Sequence, residues 1–297
     1  MMLCRHLLSR SMGKTRTVRR LLSTKPLVSW ELDESTKVGT ITLESPETYN
    51  ALTVEMGREF SAAVRQIQSD LTEGSKNINA IVLQGAGDDA FSAGGNIDWL
   101  RSLSQNPVHK NADAMMSFYK SFLCIRNLPV PVVAAIQGPA VGAGAGLALA
   151  CDLRVTSPGP RKFGFNFSRL GIHTGMGVSH MLQHSLGASA QVNEILLIGE
   201  FLSGEEAYDM GLVNRLVDAD KVKEEAQKLA HKVAAQHPLS VRSMIQTQRQ
   251  RQDEGFEATL LREAYAQAVC YNRDDWGAGL DAVLERRDPI FDDYSDP

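Results

Sequence analysis

Residues 131–152, PVVAAIQGPAVGAGAGLALACD, constrain the fold of this chain more than any other stretch. Val132-Val133-Ala134-Ala135-Ile136 has the length and branching of a buried strand. Gly138-Pro139 breaks the run, and small residues follow: Gly142, Ala143, Gly144, Ala145 and Gly146. Leu147, Leu149 and Cys151 then carry apolar character into a predicted buried helix. The order is strand, glycine-rich turn, helix start. Such a turn lets a ligand approach the backbone, while free N–H groups point outward with the positive end of the helix dipole. It suits an anion, or an oxygen that becomes anionic during a reaction. Close packing of helix on sheet accounts for the same glycines. A phosphate-binding P-loop requires Gly-Lys-Ser/Thr, and this turn has no lysine; Gly142, Gly144 and Gly146 match a dinucleotide fingerprint only loosely.

With 297 residues, 43% hydrophobic and 22% charged, the chain is long enough for one globular domain with a large core. No apolar run reaches the ~18 residues of a membrane span, so none is expected. Residues 1–25 hold Arg5, Arg10, Lys14, Arg16, Arg19, Arg20 and Lys25, several Ser and Thr, and no acid. This fits a mitochondrial targeting presequence, and the mitochondrial matrix is the expected location. A basic arm for nucleic acid is the alternative. Removing the seven positive charges takes the net charge from -4 to -11, which disfavours a nucleic-acid partner for the mature chain. Cys4, Cys124, Cys151 and Cys270 form no CxxC pair and read as reduced small hydrophobes. No HExxH motif is present, and no metal is expected.

Along the mature chain, Val38-Gly39-Thr40-Ile41-Thr42-Leu43 alternates like a strand, and Thr53 is a plausible cap for a helix over 54–71. Ala80-Ile81-Val82-Leu83-Gln84 predicts the next strand. The loop after it, residues 85–98, is rich in small residues, so two such loops can place backbone donors around one oxygen. Residues 99–109 read as a polar, irregular, mobile cover, and 112–127 as a helix. Helices are expected over 190–198, 204–211, 222–235, 239–252, 255–271 and 275–286. Alternating strand and helix followed by helices alone predicts an α/β core with a helical C-terminal subdomain.

The motifs then fall into one order: Asn50-Ala51-Leu52; Phe91-Ser92-Ala93-Gly94-Gly95-Asn96-Ile97; residues 131–138 with Ala140-Val141-Gly142-Ala143-Gly144; Cys151-Asp152-Leu153-Arg154; and Gly211-Leu212-Val213-Asn214. The ordered set resembles the crotonase, or enoyl-CoA hydratase/isomerase, superfamily over residues 28–292. The resemblance implies a crotonase-like ββα spiral core over 28–225. A C-terminal helical trimerisation region, 226–297, follows, giving a homotrimer or dimer of trimers. It also implies an acyl-CoA thioester substrate, with coenzyme A part of that substrate and no separate cofactor. By the same resemblance, the backbone amides of Gly95 and Ala143 form an oxyanion hole for a thioester enolate. Ala51, Ala93, Asn96 and Ile97 fall alongside the CoA, and Arg286 falls where a basic residue meets CoA phosphate.

The resemblance also marks departures. The two glutamates of a hydratase align with Gly146 and Phe167, and the aspartate of dienoyl-CoA isomerases with Gly175. None of these residues transfers a proton, and each general acid or base typically contributes 10²–10⁴-fold. Ordinary enoyl-CoA hydration is therefore not expected. Asp98 and His173 are the candidate replacement acid and base, with helix capping and structural hydrogen bonding as their bland alternatives. Phe165 and Phe167 suggest an apolar acyl pocket, which core packing explains equally. The expectation is a lyase or isomerase of mitochondrial acyl-CoA (fatty acid) metabolism, the alternative a catalytically silent acyl-CoA-binding or scaffold trimer.

Overall fold

The computed structural model describes residues 25–187 and 189–291. Apart from Lys25, the expected targeting segment lies outside the described residues.

β1 (Val28–Asp33) and β2 (Val38–Leu43) form an antiparallel hairpin. α1 (Val54–Glu73) follows; the Thr53 side chain accepts from the Met56 amide at its start, and Gly74, with φ 67°, ends it. Met56, Phe60, Val64 and Ile67 form its buried stripe, at the spacing expected for a helix laid on a core. β3 (Ala80–Gly85) runs parallel to β2. After α2 (Ile97–Ser102) and α3 (Val108–Leu123), β4 (Val132–Ile136) runs parallel to β3. All five β4 residues are buried, as in a parallel strand covered on both faces.

The chain next makes β5 (Ala140–Val141), α4 (Ala143–Leu149), β6 (Leu153–Thr156) and β7 (Phe163–Gly164). α5 (Val178–Leu186), α6 (Ala190–Ile198), β8 (Phe201–Leu202), α7 (Gly204–Asp209) and β9 (Arg215–Leu216) follow. The strands form two sheets, ordered β1-β2-β3-β4-β6-β9 and β5-β7-β8. Each turn sets one strand in the first sheet and a short segment in the second before a helix returns: β4, β5, α4, then β6, β7, α5. This is the expected ββα spiral, and it ends in α8 (Val222–Ala234), α9 (Pro238–Asp253), α10 (Phe256–Tyr271) and α11 (Asp274–Glu285).

Strand alternation splits the apolar side chains between two clusters. Ile41, Ile81, Leu83, Val132, Ala134 and Ile136 face the main core with α1 and α3. Ala80, Val82, Val133, Ala135 and Val155 face Val222, Ala226, Leu229 and Ala230 of α8. The division expected at 225/226 thus falls inside a single helix packed on the large sheet. A second difference concerns residues 99–109. Instead of an irregular cover, the chain makes α2 and a tight turn before α3. The Asn96 side chain accepts from the Trp99 amide to start α2, Leu103 is buried, and Asn111 Nδ2 donates to the Leu103 carbonyl at 2.8 Å.

α9 is held in an unusual way. Its only buried residue is Arg249, whose Nε donates to Asp152 Oδ1 at 2.9 Å and whose Nη2 reaches Asp152 Oδ2. The same guanidinium donates to the carbonyls of Arg126, Leu128 and Val130. Asp152 in turn accepts from the Val132 amide at 2.7 Å. One ion pair therefore ties α9 to the entry of β4 and the exit of α4.

Candidate active site

Two loops meet beneath α2. The backbone at Leu52 bridges Gly95 in parallel fashion: the Leu52 amide donates to the Gly94 carbonyl at 2.7 Å, and the Asn96 amide to the Leu52 carbonyl at 3.0 Å. That pattern turns the N–H of Gly95 away from residue 52, toward the opposite side of the loop. Ser92 stiffens the loop, its hydroxyl donating to the Asn50 carbonyl and accepting from the Gly94 amide. On the other loop, the Gly142 amide donates to the Gly164 carbonyl at 2.8 Å. Gly142 then adopts φ 52° and ψ −114°, reversing the chain into α4, and Ala143 is the first helical residue. A first-turn amide has no partner within its helix, and Gly142 has no side chain to cap it. The loops touch: a Cβ on Gly94 would stand 2.5 Å from the Val141 carbonyl oxygen and 3.5 Å from the Ala143 nitrogen.

Gly95 and Ala143 line one cavity of about 150 Å³. Ala93, Ile97, Leu100, Val141 and Gly142 border the same loops. Phe167, Leu170, Ile172 and Met176 come from the 166–176 turn, and Met115, Phe118 and Tyr119 from α3. α10 contributes Gln267 and Tyr271, and α11 contributes Trp276, Leu280 and Val283. Among the described residues, the lining contains no Asp, Glu, His, Lys, Arg or Cys. Its polar groups include one closed network. Tyr119 and Tyr271 both donate to Gln267 Oε1, at 2.7 and 3.3 Å, and Gln267 Nε2 donates to the His173 carbonyl at 2.8 Å. Burial raises the Tyr119 hydroxyl well above its ordinary pKa, with Tyr271 and Glu263 adding to the rise, and burial raises Tyr271 too. Both remain neutral donors.

Gly146 and Gly175, which the resemblance set at acidic positions of the family, are hemmed in. A Cβ at Gly146 would lie 2.6 Å from Met176 Cβ and 3.2 Å from Val178 Cγ2. At Gly175 it would lie 2.6 Å from the Tyr119 hydroxyl and 2.8 Å from Gln267 Nε2. Space that a longer side chain would need is filled by Met176 in one case and by the tyrosine–glutamine network in the other.

The expected residues divide. Ala93, Gly95, Ile97, Ala143 and Phe167 line the cavity together. Ala51 precedes the Leu52 bridge, and Asn96 caps α2, so both stand at the loops without lining the cavity. Arg286 is exposed, with φ 59°, just past α11, whose Val283 does line it. Three of the expected residues lie outside this cavity. Asp98 is exposed in the first turn of α2, outside the cavity, and the capping role belongs to Asn96. His173 lines a different and wider hollow between α5, α6 and α10, where its Nδ1–H donates to the Thr174 carbonyl at 2.9 Å. Phe165 is wholly buried in the core, because the chain bends only after it and brings Phe167 inward.

Four polar cavity residues escaped the sequence reading: Tyr119, Asn166, Gln267 and Tyr271. A signal exists for two of them. On α10, Glu263, Gln267 and Tyr271 recur every four residues beside the buried Leu260, Ala264 and Ala268, a polar line set within an apolar face. Glu263 is itself fully buried, accepting from the Thr174 hydroxyl, the Gly177 amide and both the amide and hydroxyl of Ser179. It fastens the 174–179 turn to α10.

The spiral of short ββα turns thus brings the backbones of Gly95 and Ala143 to one apolar cavity. The chain belongs to the enoyl-CoA hydratase/isomerase family, whose pattern it matches over residues 33–294. A Thermus thermophilus protein named "Putative enoyl-CoA hydratase" is 33% identical over 258 residues, 87% of this chain and 98% of that protein. An Arabidopsis thaliana protein named "Probable enoyl-CoA hydratase 2, mitochondrial" is 29% identical, over 84% of this chain and 80% of that one. The crystal structure of an enoyl-CoA hydratase/isomerase from Pseudoalteromonas atlantica superposes with a TM-score of 0.74 at 27% identity, covering 90% of this chain and 100% of that one.

Proposed function

We propose that this protein is an enzyme of mitochondrial acyl-CoA (fatty acid) metabolism, a lyase or isomerase that polarises a CoA thioester through the Gly95 and Ala143 amides. One observation carries the reading: Gly95 and Ala143, from touching loops, line a single apolar cavity. A thioester that loses an α-proton, or is attacked at its β-carbon, becomes an enolate with its charge on the thioester oxygen. Each backbone donor aimed at that oxygen contributes about 3–4 kcal/mol to the barrier. In this reading Ala51, Ala93, Asn96, Ile97 and Arg286 run along the CoA, and Phe167 borders the acyl group. Coenzyme A arrives with the substrate, and no separate cofactor is required. Leu261, Tyr265 and Val269, an exposed apolar stripe on α10, support a homotrimer or dimer of trimers.

The reaction is not ordinary two-glutamate hydration. Gly146 and Phe167 supply no acid or base, and no carboxylate lines the cavity among the described residues. Crotonyl-CoA hydration is expected to run at least about 10²-fold slower than in a hydratase with both glutamates; turnover at hydratase level, followed by loss of the enoyl absorbance, would refute this. The same bare lining favours a second reading, a catalytically silent acyl-CoA-binding or scaffold trimer. Incubating the purified protein with an acyl-CoA panel in D₂O separates the two. α-Deuteration or product by mass spectrometry supports the enzyme, and tight binding with neither supports the scaffold.

The charge break near residue 25 supports import with cleavage. The mature N-terminus is expected between Leu21 and Val28, as N-terminal sequencing of organelle-purified protein will read. A mature chain starting at Met1 argues against processing.

A further inference from the structure

At the other end of α4 from Ala143 lies a second cavity, of about 60 Å³, walled by Arg126, Arg154 and Arg249 and by His180 of α5. The carboxylates beside it are already taken. Both Asp152 oxygens accept from Arg249, and Asp253 pairs with Arg126 at 2.6 Å. Arg154 is 9% exposed and has no carboxylate partner among the described residues. Its Nε donates to the Leu212 carbonyl at 2.7 Å, and its Nη1 to the carbonyls of Cys151 and Ala148 at 2.7 and 3.5 Å. Nη2 makes no hydrogen bond among the described residues, and it is not one of the polar atoms sealed from solvent. Burial presses the Arg154 pKa down, as for a cation held away from water, yet a guanidinium stays charged. A buried charge is ordinarily paired, and carbonyl dipoles supply only part of what an anion would.

We infer that this cavity binds a small oxyanion, with the unpartnered Nη2 of Arg154 as a donor to it and Gln248 of α9 at its mouth. Guanidinium N–H groups match the geometry of sulfate, phosphate and carboxylate oxygens, and three guanidiniums surround the space. Its volume admits the oxyanion group and little else, so the ion is free or is the end of a molecule lying outside. Arg154 Nη1 holds the carbonyls at the close of α4, so an anion on the same guanidinium would fix that end of the helix.

The test is calorimetric titration of the full-length protein with sodium sulfate, whose charge is fixed near neutral pH, against sodium chloride at matched ionic strength. Removing Arg154 would also free the carbonyls it holds, so the cation is instead answered from the mouth. Gln248 is exposed, and Gln248→Glu places a carboxylate of equal size there. Sulfate is expected to bind the parent saturably and to raise its unfolding temperature, and to bind Gln248→Glu at least about tenfold more weakly. If the circular dichroism of that variant departs from the parent, His184→Glu at the same mouth is read in its place. A response no larger than that to chloride, an ionic-strength effect only, overturns the inference. Saturable binding that survives in the folded variant overturns the assignment to this cavity. Competition with inorganic phosphate and with AMP reads the source of the oxyanion. Displacement of sulfate by both supports an oxyanion carried on a larger molecule, displacement by phosphate alone supports a free ion, and displacement by neither overturns the site.

Discussion

Ala143→Pro is expected to lower kcat on the best acyl-CoA substrate by about 10²–10³ while changing CoA affinity far less. Proline removes the amide hydrogen that, in the proposed function, the α4 turn gives to the thioester oxygen, and it adds little volume. The backbone accepts it. Ala143 is the first residue of α4, a position where proline is favoured because no helical hydrogen bond is lost. The preceding Gly142, at φ 52° and ψ −114°, holds the mirror image of the extended conformation that precedes proline, which glycine alone adopts freely. An amide that acts mainly on the transition state shows its loss in kcat, whereas one that only holds ground-state substrate shows it in KM. A folded Ala143→Pro protein with parental turnover would remove the oxyanion role from this turn. Unchanged circular dichroism and oligomer mass are the controls.

Asp152→Ala is expected to cost about 3–5 kcal/mol in urea unfolding. The cost is not the value of the ion pair itself. It is the penalty of leaving the Arg249 guanidinium, 6% exposed, without its anion, together with a Val132 amide that loses its acceptor. That figure is a large share of the 5–15 kcal/mol by which domains are stable. The double variant Asp152→Ala with Arg249→Met should recover much of the loss, since an apolar side chain carries no charge to desolvate. Equal stabilities of single and double variants would mean that Arg249 is not acting as a buried, dependent charge.

The two predictions concern features of different legibility. The turn around Ala143 could be read directly, because its strand, glycines and helix are contiguous in the chain. The same holds for α1, β3 and β4, whose side-chain periods survive in the sequence. α2 was missed because six residues begun by one asparagine leave no periodic trace. Asp98 and His173 stand close in sequence to loops that line the cavity, yet one lies on the outer face of α2 and the other faces a separate hollow. Proximity along the chain carried no direction. Tyr119 and Gln267 meet across 148 residues, so no local pattern announces their contact. Asn166 was hidden for another reason: an asparagine between two phenylalanines reads as a turn until its burial is known.

The cavity is bounded by residues as early as Ala93 and as late as Val283. During synthesis, the amides of Gly95 and Ala143 emerge while α10 and α11 are still to be made. The early chain can pair β2, β3 and β4, yet the space it leaves beside those amides opens to water. Gln267, Tyr271, Trp276 and Leu280 complete its wall only when they dock. A product cut short before α10 would carry the whole glycine-rich turn without that wall. The complete lining therefore exists only once α10 and α11 have been added to the glycine-rich loops.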